Sequence, residues 1–279
     1  MPTEDALIIR SYTGKYTVDE NGWVRFLTSG DLRVMNTTVI DAFLVGGGGA
    51  AGSAIRSTTT TSSSIRVYKY ASPGGGGGYT MTKRAFTLYP FKKYSIVIGA
   101  GGKYHLATTE TAKDGGRGGT TSAFGAEAEG GYGGRIAKSS DTVEERITKG
   151  GDGGSGGGAI GGKKTVDGVA ALYVYTGGVD GEDGGGTETT LGGAGQSRTT
   201  RAFEEEDGEL FASGGDGGYF VSLSPDEAGT PQAGAANTGD GGDGDCSWSF
   251  YSGNVQRYSY SSGKDGGSGI VIIRKAVAS

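Results

Sequence analysis

The stretch Gly-Gly-Asp-Gly-Gly-Ser-Gly-Gly-Gly-Ala-Ile-Gly-Gly, residues 150–162, is the longest instance of a recurring glycine pattern in this chain. In a polyproline-II helix, residues three apart share one edge, so the pattern GGxGG leaves two edges bare and reserves the third for side chains. Bare edges let neighbouring helices approach until their N–H and C=O groups bond laterally. The stretch therefore predicts packed polyglycine-II helices, and at about 3.1 Å per residue it would span about 40 Å.

The same GGxGG pattern recurs at residues 115–119, 130–134 and 214–218, in a chain with 60 Gly among 279 residues. Each Gly loses backbone entropy on folding and buries no side chain. So many glycine residues therefore weaken a fold unless their bare backbone is itself packed. A flexible linker is the alternative, but stretches rich in β-branched and aromatic residues separate the glycine runs. A collagen helix is excluded because Gly has no strict three-residue period and only 5 Pro are present.

Six stretches outside the glycine runs predict β-strands. They are residues 6–10, 23–27, 39–45, 79–88, 94–98 and 270–274. The turn signals Asn21-Gly22 and Ser29-Gly30 separate the early ones, which is typical of an antiparallel sheet. The last strand follows most of the glycine, as expected for a β-sandwich that presents its insertions at one end.

These elements predict an all-β fold: a β-sandwich framework of jelly-roll or TNF-like type, with a packed polyglycine-II helix bundle and long loops. We expect a single domain over residues 1–279. Its framework would comprise residues 1–45, 79–125 and 268–276, and its glycine-rich polyproline-II and loop region would comprise residues 46–78 and 126–267.

Charge and composition argue against several classes of function. A net charge of −5 and a pI near 5.1 lack the basic footprint of a nucleic-acid binder, so no nucleic acid is expected as a partner. No apolar run approaches a membrane span, so no membrane insertion is expected. The acidic start Met1–Asp5 shows no secretory signal, so an extracellular role would require release by lysis. The single cysteine, Cys246, allows no internal disulfide.

Candidate catalytic and metal-binding residues are scarce. His105 is the sole histidine, so one chain cannot assemble a Ser-His-Asp, Cys-His or multi-histidine site. Acidic runs such as Glu204–Asp207 fit a solvated loop face better than a catalytic carboxylate pair. Asp240, Asp243 and Asp245 on a glycine-rich turn match a calcium-binding repeat only in part. We therefore expect no enzyme, no metal site and no cofactor.

The segments between the glycine runs are long, polar and rich in Tyr, Ser and Thr, which is the composition of antibody paratopes. We interpret them as binding loops, since the densest aromatic set, in residues 247–264, lacks the strict alternation of a half-buried strand. The residues assigned to receptor binding are Tyr68, Tyr70, Tyr173, Tyr175, Tyr219, Phe220, Trp248, Phe250, Tyr251, Tyr258 and Tyr260. The alternative is that these aromatics only cap a glycine bundle that has no side chains to form a core.

The order of motifs along the chain carries a family resemblance. The motifs are residues 22–30, 40–49, 74–79, 94–102, 118–125 and the ending Gly-Gly-Ser-Gly-Ile-Val-Ile-Ile-Arg at 266–274. Over nearly the whole chain this order resembles the glycine-rich domain of phage and prophage tail proteins. The resemblance implies a virion tail component, because relatives at the tips of T-even-like long tail fibres carry polyglycine-II bundles whose loops bind host receptors.

On that resemblance the chain is expected to be a phage tail adhesin, located in the virion and extracellular on release. Its expected partners are a host cell-surface glycan or protein and other phage tail proteins, with a homotrimer as one option for its assembly. The alternative is a passive structural protein of the tail tip or baseplate, with its aromatics buried in the assembled particle. A third hypothesis, ice binding, is disfavoured because charged and aromatic insertions would spoil a flat regular face.

Overall fold

The structure is a computed structural model, and it describes residues 7–53, 55–62, 65–105, 113–136, 147–159, 165–166, 169–170, 174–176, 194–195, 198, 200–218, 230–252, 255–259 and 263–276. Within residues 55–71, 147–148, 165–176 and 246–259 the description is limited to the backbone. Across the described residues the chain is all-β, with twenty strands and one three-residue 3-10 helix. The predicted all-β class is confirmed.

The strands pair antiparallel with one exception, the parallel pair of β12 with β15. The strands are β1 (Ile9–Tyr12), β2 (Tyr16–Val18), β3 (Val24–Phe26), β4 (Gly30–Val34), β5 (Thr38–Val45), β6 (Ile55–Ser62), β7 (Ile65–Ala71), β8 (Thr80–Leu88), β9 (Tyr94–Val97), β10 (Thr121–Ala123), β11 (Ala126–Ala128), β12 (Ile147–Lys149), β13 (Thr165–Val166), β14 (Val169–Ala170), β15 (Val174–Thr176), β16 (Thr200–Arg201), β17 (Leu210–Phe211), β18 (Cys246–Ser252), β19 (Val255–Ser259) and β20 (Ile270–Lys275). The 3-10 helix η1 spans Ala202–Glu204.

Two five-stranded antiparallel sheets form a sandwich around the main core. One sheet has the strand order β1-β4-β9-β10-β11 and the other has the order β2-β3-β20-β5-β8. Both sheets contribute to one cluster of buried side chains, which includes Leu32 and Ile96 from the first sheet and Phe26, Ile40 and Leu88 from the second. The predicted β-sandwich is therefore confirmed at the level of a sandwich-like, antiparallel architecture.

Strands β5 and β20 are buried on both faces, because a second core covers the outer face of their sheet. Phe43 and Ile272 contribute to this second core together with Phe203 of η1 and Phe211 of β17. Strands covered on both sides read as continuous apolar runs rather than alternating ones, as both of these do. The guanidinium of Arg274 at the end of β20 lies 4.2 Å from the centroid of the Phe203 ring.

The six predicted strands correspond to β1, β3, β5, β8, β9 and β20. The predicted start of the first strand was wrong, since β1 begins at Ile9 rather than at residue 6. A register irregularity between Ile9 and Ser11 breaks the pairing of β1 with β4 at that point, and apolar patterning alone does not reveal such a bulge.

Glycine-rich segments join the sandwich to the insertions through a regular set of backbone hydrogen bonds. We call residues 46–53 the first glycine segment and residues 72–79 the second. In the first segment every third N–H donates to the same neighbouring stretch of chain. The donor and acceptor pairs are Gly46 to Tyr79, Gly49 to Gly76 and Gly52 to Pro73; Gly47 to Gly119, Ala50 to Gly116 and Ser53 to Lys113; and Gly48 to Gly267 and Ala51 to Lys264.

The second glycine segment repeats this three-residue period with three neighbours of its own. Its pairs are Gly74 to Gly158 and Gly77 to Ser155; Gly75 to Gly242 and Gly78 to Gly239; and Gly76 to Tyr132 and Tyr79 to Glu129. The two segments therefore lie at the centre of a bundle, each bonded through its N–H groups to three surrounding stretches.

Close approach of backbones explains why these positions are glycine. Residues 46–53 and 72–78 are all buried. A Cβ added to Gly48 would lie 1.9 Å from the carbonyl oxygen of Asp240, and one added to Gly75 would lie 2.1 Å from that of Gly49. Since a carbonyl oxygen in a bonded backbone cannot move aside cheaply, any other residue would separate the segments and break their hydrogen bonds.

Side chains at the middle position of GGxGG lie at the periphery of the bundle. Arg117, Tyr132 and Asp216 are exposed and Asp152 is half-buried. The Arg117 guanidinium lies 4.2 Å from the centroid of the Tyr132 ring, and Asp152 pairs with Lys149 at 2.8 Å. The contact of Arg117 with Tyr132 therefore joins two neighbouring stretches on the outside of the bundle, whereas Asp152 pairs within its own stretch.

Candidate functional site

Two hairpins extend from the bundle and pair into one four-stranded sheet, which we call the ribbon. Hairpin β6–β7 lies between the first and second glycine segments, and hairpin β18–β19 lies between residues 239–245 and 263–269. The strand order is β19-β18-β7-β6, and all three pairings are antiparallel. The ribbon therefore joins parts of the chain that are about 180 residues apart in sequence.

The base of the ribbon is fastened by two buried serines. Asp245, which precedes β18, donates its N–H to Ser72 Oγ at 2.6 Å, and Ser72, which follows β7, donates its N–H to the Asp245 carbonyl at 3.3 Å. Ser53, just before β6, donates through Oγ to the His105 carbonyl at 2.9 Å and accepts the N–H of Lys113 at 3.1 Å. Both serines are fully buried, so the foot of the ribbon is part of the bundle interior.

Other insertions leave from this same end, which is opposite the sandwich. Residues 106–112 are flanked by His105 and Lys113, which meet Ser53 at the foot of β6. Residues 137–146 lie between Ile136 and β12, and next to them Arg135 and Lys149 form an isolated antiparallel bridge. Gly218, before residues 219–229, donates its N–H to the Ser72 carbonyl at 2.8 Å. The points at which these sequence-distant insertions join the bundle therefore lie at one pole.

The backbone register divides the ribbon into two faces, because residues paired across a ladder share a face and successive residues alternate. Ser249 pairs with both Tyr68 and Tyr258, while Tyr251 pairs with Arg66. We call the face of these residues the polar face. Its positions are Arg56, Thr58, Thr60, Arg66, Tyr68, Tyr70, Ser247, Ser249, Tyr251, Gln256 and Tyr258.

The opposite face, which we call the apolar face, holds the remaining positions of the same ladders. They are Ile55, Ser57, Thr59, Ser62, Ile65, Val67, Lys69, Ala71, Cys246, Trp248, Phe250, Ser252, Val255, Arg257 and Ser259. Every aliphatic residue of the paired positions, with Trp248 and Phe250, falls on this face. The ribbon therefore has the two-sided pattern of an antiparallel sheet that covers something on one side.

Six of the predicted binding residues lie in ribbon strands, which corrects the expectation of loops in these segments. Tyr68 and Tyr70 lie in β7, Trp248, Phe250 and Tyr251 in β18, and Tyr258 in β19. The strands alternate between polar and apolar residues only when Tyr is counted as polar, together with Ser and Thr. Counting Tyr as an aromatic residue, together with Trp and Phe, hid this alternation.

Of the five other predicted residues, one lies within the part of the chain that the structure describes. Tyr175 lies in β15, where it pairs with Thr148 of β12. Tyr173, Tyr219, Phe220 and Tyr260 lie outside the described residues.

Sequence reasoning missed the cations of the ribbon. Its four strands contain Arg56, Arg66, Lys69 and Arg257 and no Asp or Glu, in a chain whose net charge is −5. The sequence signal for this positive charge is the lack of Asp and Glu in these segments. Each strand is too short for that lack to stand out until the four ribbon strands are known to be neighbours.

The aspartates of residues 240–245 make structural contacts within the bundle. Asp240 pairs with Arg198 at 2.5 Å and accepts the N–H of Ser213 at 3.0 Å. Burial favours a raised pKa for Asp240, but hydrogen bonds, chiefly that from Arg198, outweigh burial and lower the pKa. For Asp243 burial dominates and raises the pKa, although its carboxylate accepts two backbone N–H groups. Among the described residues, no three or more His, Cys, Asp and Glu side chains are grouped to hold a metal ion.

Comparisons with known proteins locate the site within a recognised domain. The profile of a family described as a glycine-rich domain matches residues 29–276, which include the strands from β4 to β20, both glycine segments and the ribbon. No curated protein matches the chain. In the described part of the chain no helix has the length and apolar character needed to cross a membrane.

Proposed function

This chain belongs to the glycine-rich domain family, and we propose that it is a bacteriophage tail adhesin that attaches the virion to a host surface receptor. The ribbon and the insertions beside it would contact the receptor, and the bundle would hold them in place. The observation that carries the proposal is the gathering of sequence-distant insertions at one pole of a fully buried backbone scaffold.

The physical advantage of this arrangement is preorganisation. Binding residues are commonly carried on connections that a rigid scaffold positions. A ribbon whose foot is hydrogen-bonded to Ser53 and Ser72 inside the bundle loses less conformational entropy on binding than a free loop would. No catalytic step is part of the proposed function.

We also propose that the glycine segments are polyglycine-II helices and that the sandwich is of the jelly-roll or TNF-like type. A helix with three residues per turn offers every third N–H to the same neighbour, and this is the period of the hydrogen bonds in both glycine segments. The jelly-roll or TNF-like type is supported by the position of the closing strand β20, which lies between β3 and β5 in its sheet.

The phage assignment rests on the order of sequence motifs, which ends with residues 266–274. Under this proposal the protein acts in the virion, outside the cell after lysis, and its remaining partners are other tail proteins. We propose that these proteins dock on the pole opposite the ribbon, where Tyr89 and Phe91 are each 54% exposed. Phe91 adopts a left-handed backbone with φ of 63° in the turn after β8, a strained conformation for a bulky residue.

Binding of the purified chain to bacterial cells tests the adhesin proposal. Labelled chain is mixed with susceptible and resistant strains of one phage and host pair, and cell-bound label is measured. We expect saturable binding to susceptible cells and competition with phage adsorption. The control is a variant in which residues 55–71 and 246–259 are each replaced by a short Gly-Ser linker, which should not bind. Binding to isolated tails and to no cells would favour the passive structural protein instead.

A further inference from the structure

We propose that the polar face of the ribbon binds an acidic glycan of the host surface, a saccharide that carries carboxylate, sulfate or phosphate groups. The inference rests on the proposed function, because it names the receptor class for the same pole of the molecule. It is carried by the backbone register of the four ribbon strands together with their sequences.

The two faces differ sharply in residue type. All four tyrosines of the ribbon strands take positions on the polar face, where no aliphatic residue, Trp or Phe occurs. An antiparallel sheet with this pattern covers its apolar face and turns the other toward water. From this pattern we infer that the tyrosine positions belong to the face left open to a ligand.

The tyrosine positions surround a small residue. Ser249 pairs with Tyr68 on one side and with Tyr258 on the other, so the three form one row across neighbouring strands. Strands lie about 4.8 Å apart and same-face residues of one strand about 6.8 Å apart, which puts Tyr251 in the next row beside Ser249. A sugar ring presents C–H groups and hydroxyls, which aromatic rings and Tyr or Ser hydroxyls can contact, so three tyrosine positions around one serine suit a saccharide.

Charge selects the acidic members of that ligand class. Arg66 pairs with Tyr251 and Arg56 pairs with Tyr70, so each arginine shares a row with a tyrosine. Guanidinium groups bind carboxylate and phosphate in a bidentate manner, and the four ribbon strands contain no acidic residue that would compete. A neutral glycan would leave this local excess of positive charge unused.

The residue types of the polar face favour a glycan over a protein receptor. Tyr and Arg also anchor protein interfaces, but the cores of those interfaces bury Trp, Phe and Met in well-packed pockets as well. The polar face offers Tyr, Thr, Ser, Gln and Arg, and the apolar residues that could anchor a protein partner are all assigned to the opposite face. Its chemistry matches a ligand made of hydroxyls, ring C–H groups and anionic substituents.

An array of paired oligosaccharides, identical except for the acidic substituent, tests the inference directly with the full-length chain. We expect binding to the acidic member of a pair, weakened by salt. The double variant Arg56→Gln with Arg66→Gln should lose about tenfold or more in affinity, and so should Tyr68→Ser with Tyr258→Ser. The charge-matched control is Lys69→Gln with Arg257→Gln on the apolar face, which should change affinity less than about twofold. Melting temperatures close to that of the wild type confirm that each variant is folded.

Equal binding to neutral and acidic members, or an equal loss in the apolar-face control, would overturn the inference. Cell assays separate its failure from that of the proposed function. Suppose that the chain binds susceptible cells, and that this binding is removed when the cells are treated with protease but not when they are treated with periodate. In that case the adhesin proposal stands and the receptor is a protein. If the chain binds acidic oligosaccharides but no susceptible cells, the glycan site stands and the adhesin role fails.

Discussion

Gly153 and Ser155 are two residues apart and meet different surroundings. A Cβ on Gly153 would lie 1.9 Å from the carbonyl oxygen of Gly77. Ser155 is also fully buried, yet its side chain is accommodated, and its Oγ has no hydrogen-bond partner among the described residues. The bundle is therefore intolerant of side chains at particular positions rather than throughout its interior.

Gly153→Ala should lower the free energy of unfolding by about 3 kcal/mol or more, because overpacking adds to the loss of backbone hydrogen bonds. Gly157→Ala should act in the same direction, since its Cβ would lie 2.5 Å from the Gly74 oxygen. Ser155→Ala is the matched control and should stay within about 1 kcal/mol of the wild type, as it removes an unpaired hydroxyl. Urea denaturation of the three variants provides the measurement. Similar small effects at all three positions would contradict the close packing of residues 150–158.

Arg198 determines how Asp240 responds to acid. The pKa of Asp240 in the folded chain is lower than its ordinary value, so the ion pair stabilises the fold at neutral pH, and this contribution is lost as the pH falls through the folded pKa. Arg198→Ala leaves a buried carboxylate without its charged partner and should cost about 2 kcal/mol near pH 7. In this variant protonation of Asp240 relieves the cost, so the difference from the wild type should shrink between about pH 7 and about pH 2.

Stability measured across that pH range checks this prediction. The control is Arg201→Ala, because Arg201 donates to the carbonyl oxygen of Gly208 at 3.2 Å, an acceptor that does not titrate. Its effect should be independent of pH. A constant difference between Arg198→Ala and the wild type would mean that the pair does not control the ionisation of Asp240.

At the scale of elements, the ribbon assigns different tasks to aromatics that the sequence groups together. Trp248 and Phe250 occupy the apolar face, whereas Tyr251 and Tyr258 occupy the polar face. The sequence alone assigned all four to receptor binding. Strand register therefore changes the expected result of mutating them.

Because we infer that the apolar face is covered, Trp248→Ala should lower the melting temperature, with a cost of about 3 kcal/mol, and should weaken cell attachment only as far as the ribbon unfolds. Tyr251→Ala is its matched partner from the same strand. It should leave the melting temperature nearly unchanged and weaken attachment directly. Both quantities should be measured on one preparation of each variant. Loss of attachment by Trp248→Ala without a thermal shift would move the receptor to the apolar face.

Local sequence patterns predicted the elements that are buried all round, because in these every residue of a short segment meets the same kind of surroundings. The continuous apolar runs of β5 and β20 were readable because both faces of these strands are covered, and GGxGG predicted close backbone packing. The ribbon was not predictable because β7 meets β18 across about 180 residues, and a hairpin with one polar, tyrosine-rich face looks like a loop by itself. The role of Ser53 and Ser72 at its foot depends on the same distant contacts.

At the scale of the molecule, sandwich and bundle should unfold together, since β5 continues into the first glycine segment and residues 263–269 lead directly into β20. Their hydrogen bonds interleave, as when Gly46 donates to Tyr79 just before β8. Amides of residues 46–52 and 74–78 should therefore exchange with solvent as slowly as those of β5, although they belong to neither a β-strand nor an α-helix. Hydrogen exchange followed by mass spectrometry or NMR measures this. Rapid exchange in both glycine segments would show that the bundle opens independently of the sandwich.

The clearance around each buried glycine also has a genetic consequence. Any single-base change in the first two positions of a glycine codon introduces a side chain or a stop, and at Gly48 or Gly75 even one methyl group would meet a carbonyl oxygen. Such alleles would be removed by selection, whereas codons of the insertions can change without disturbing the bundle. Under the proposed function, a lineage carrying this gene can therefore explore new surface specificities at a nearly constant cost in protein folding.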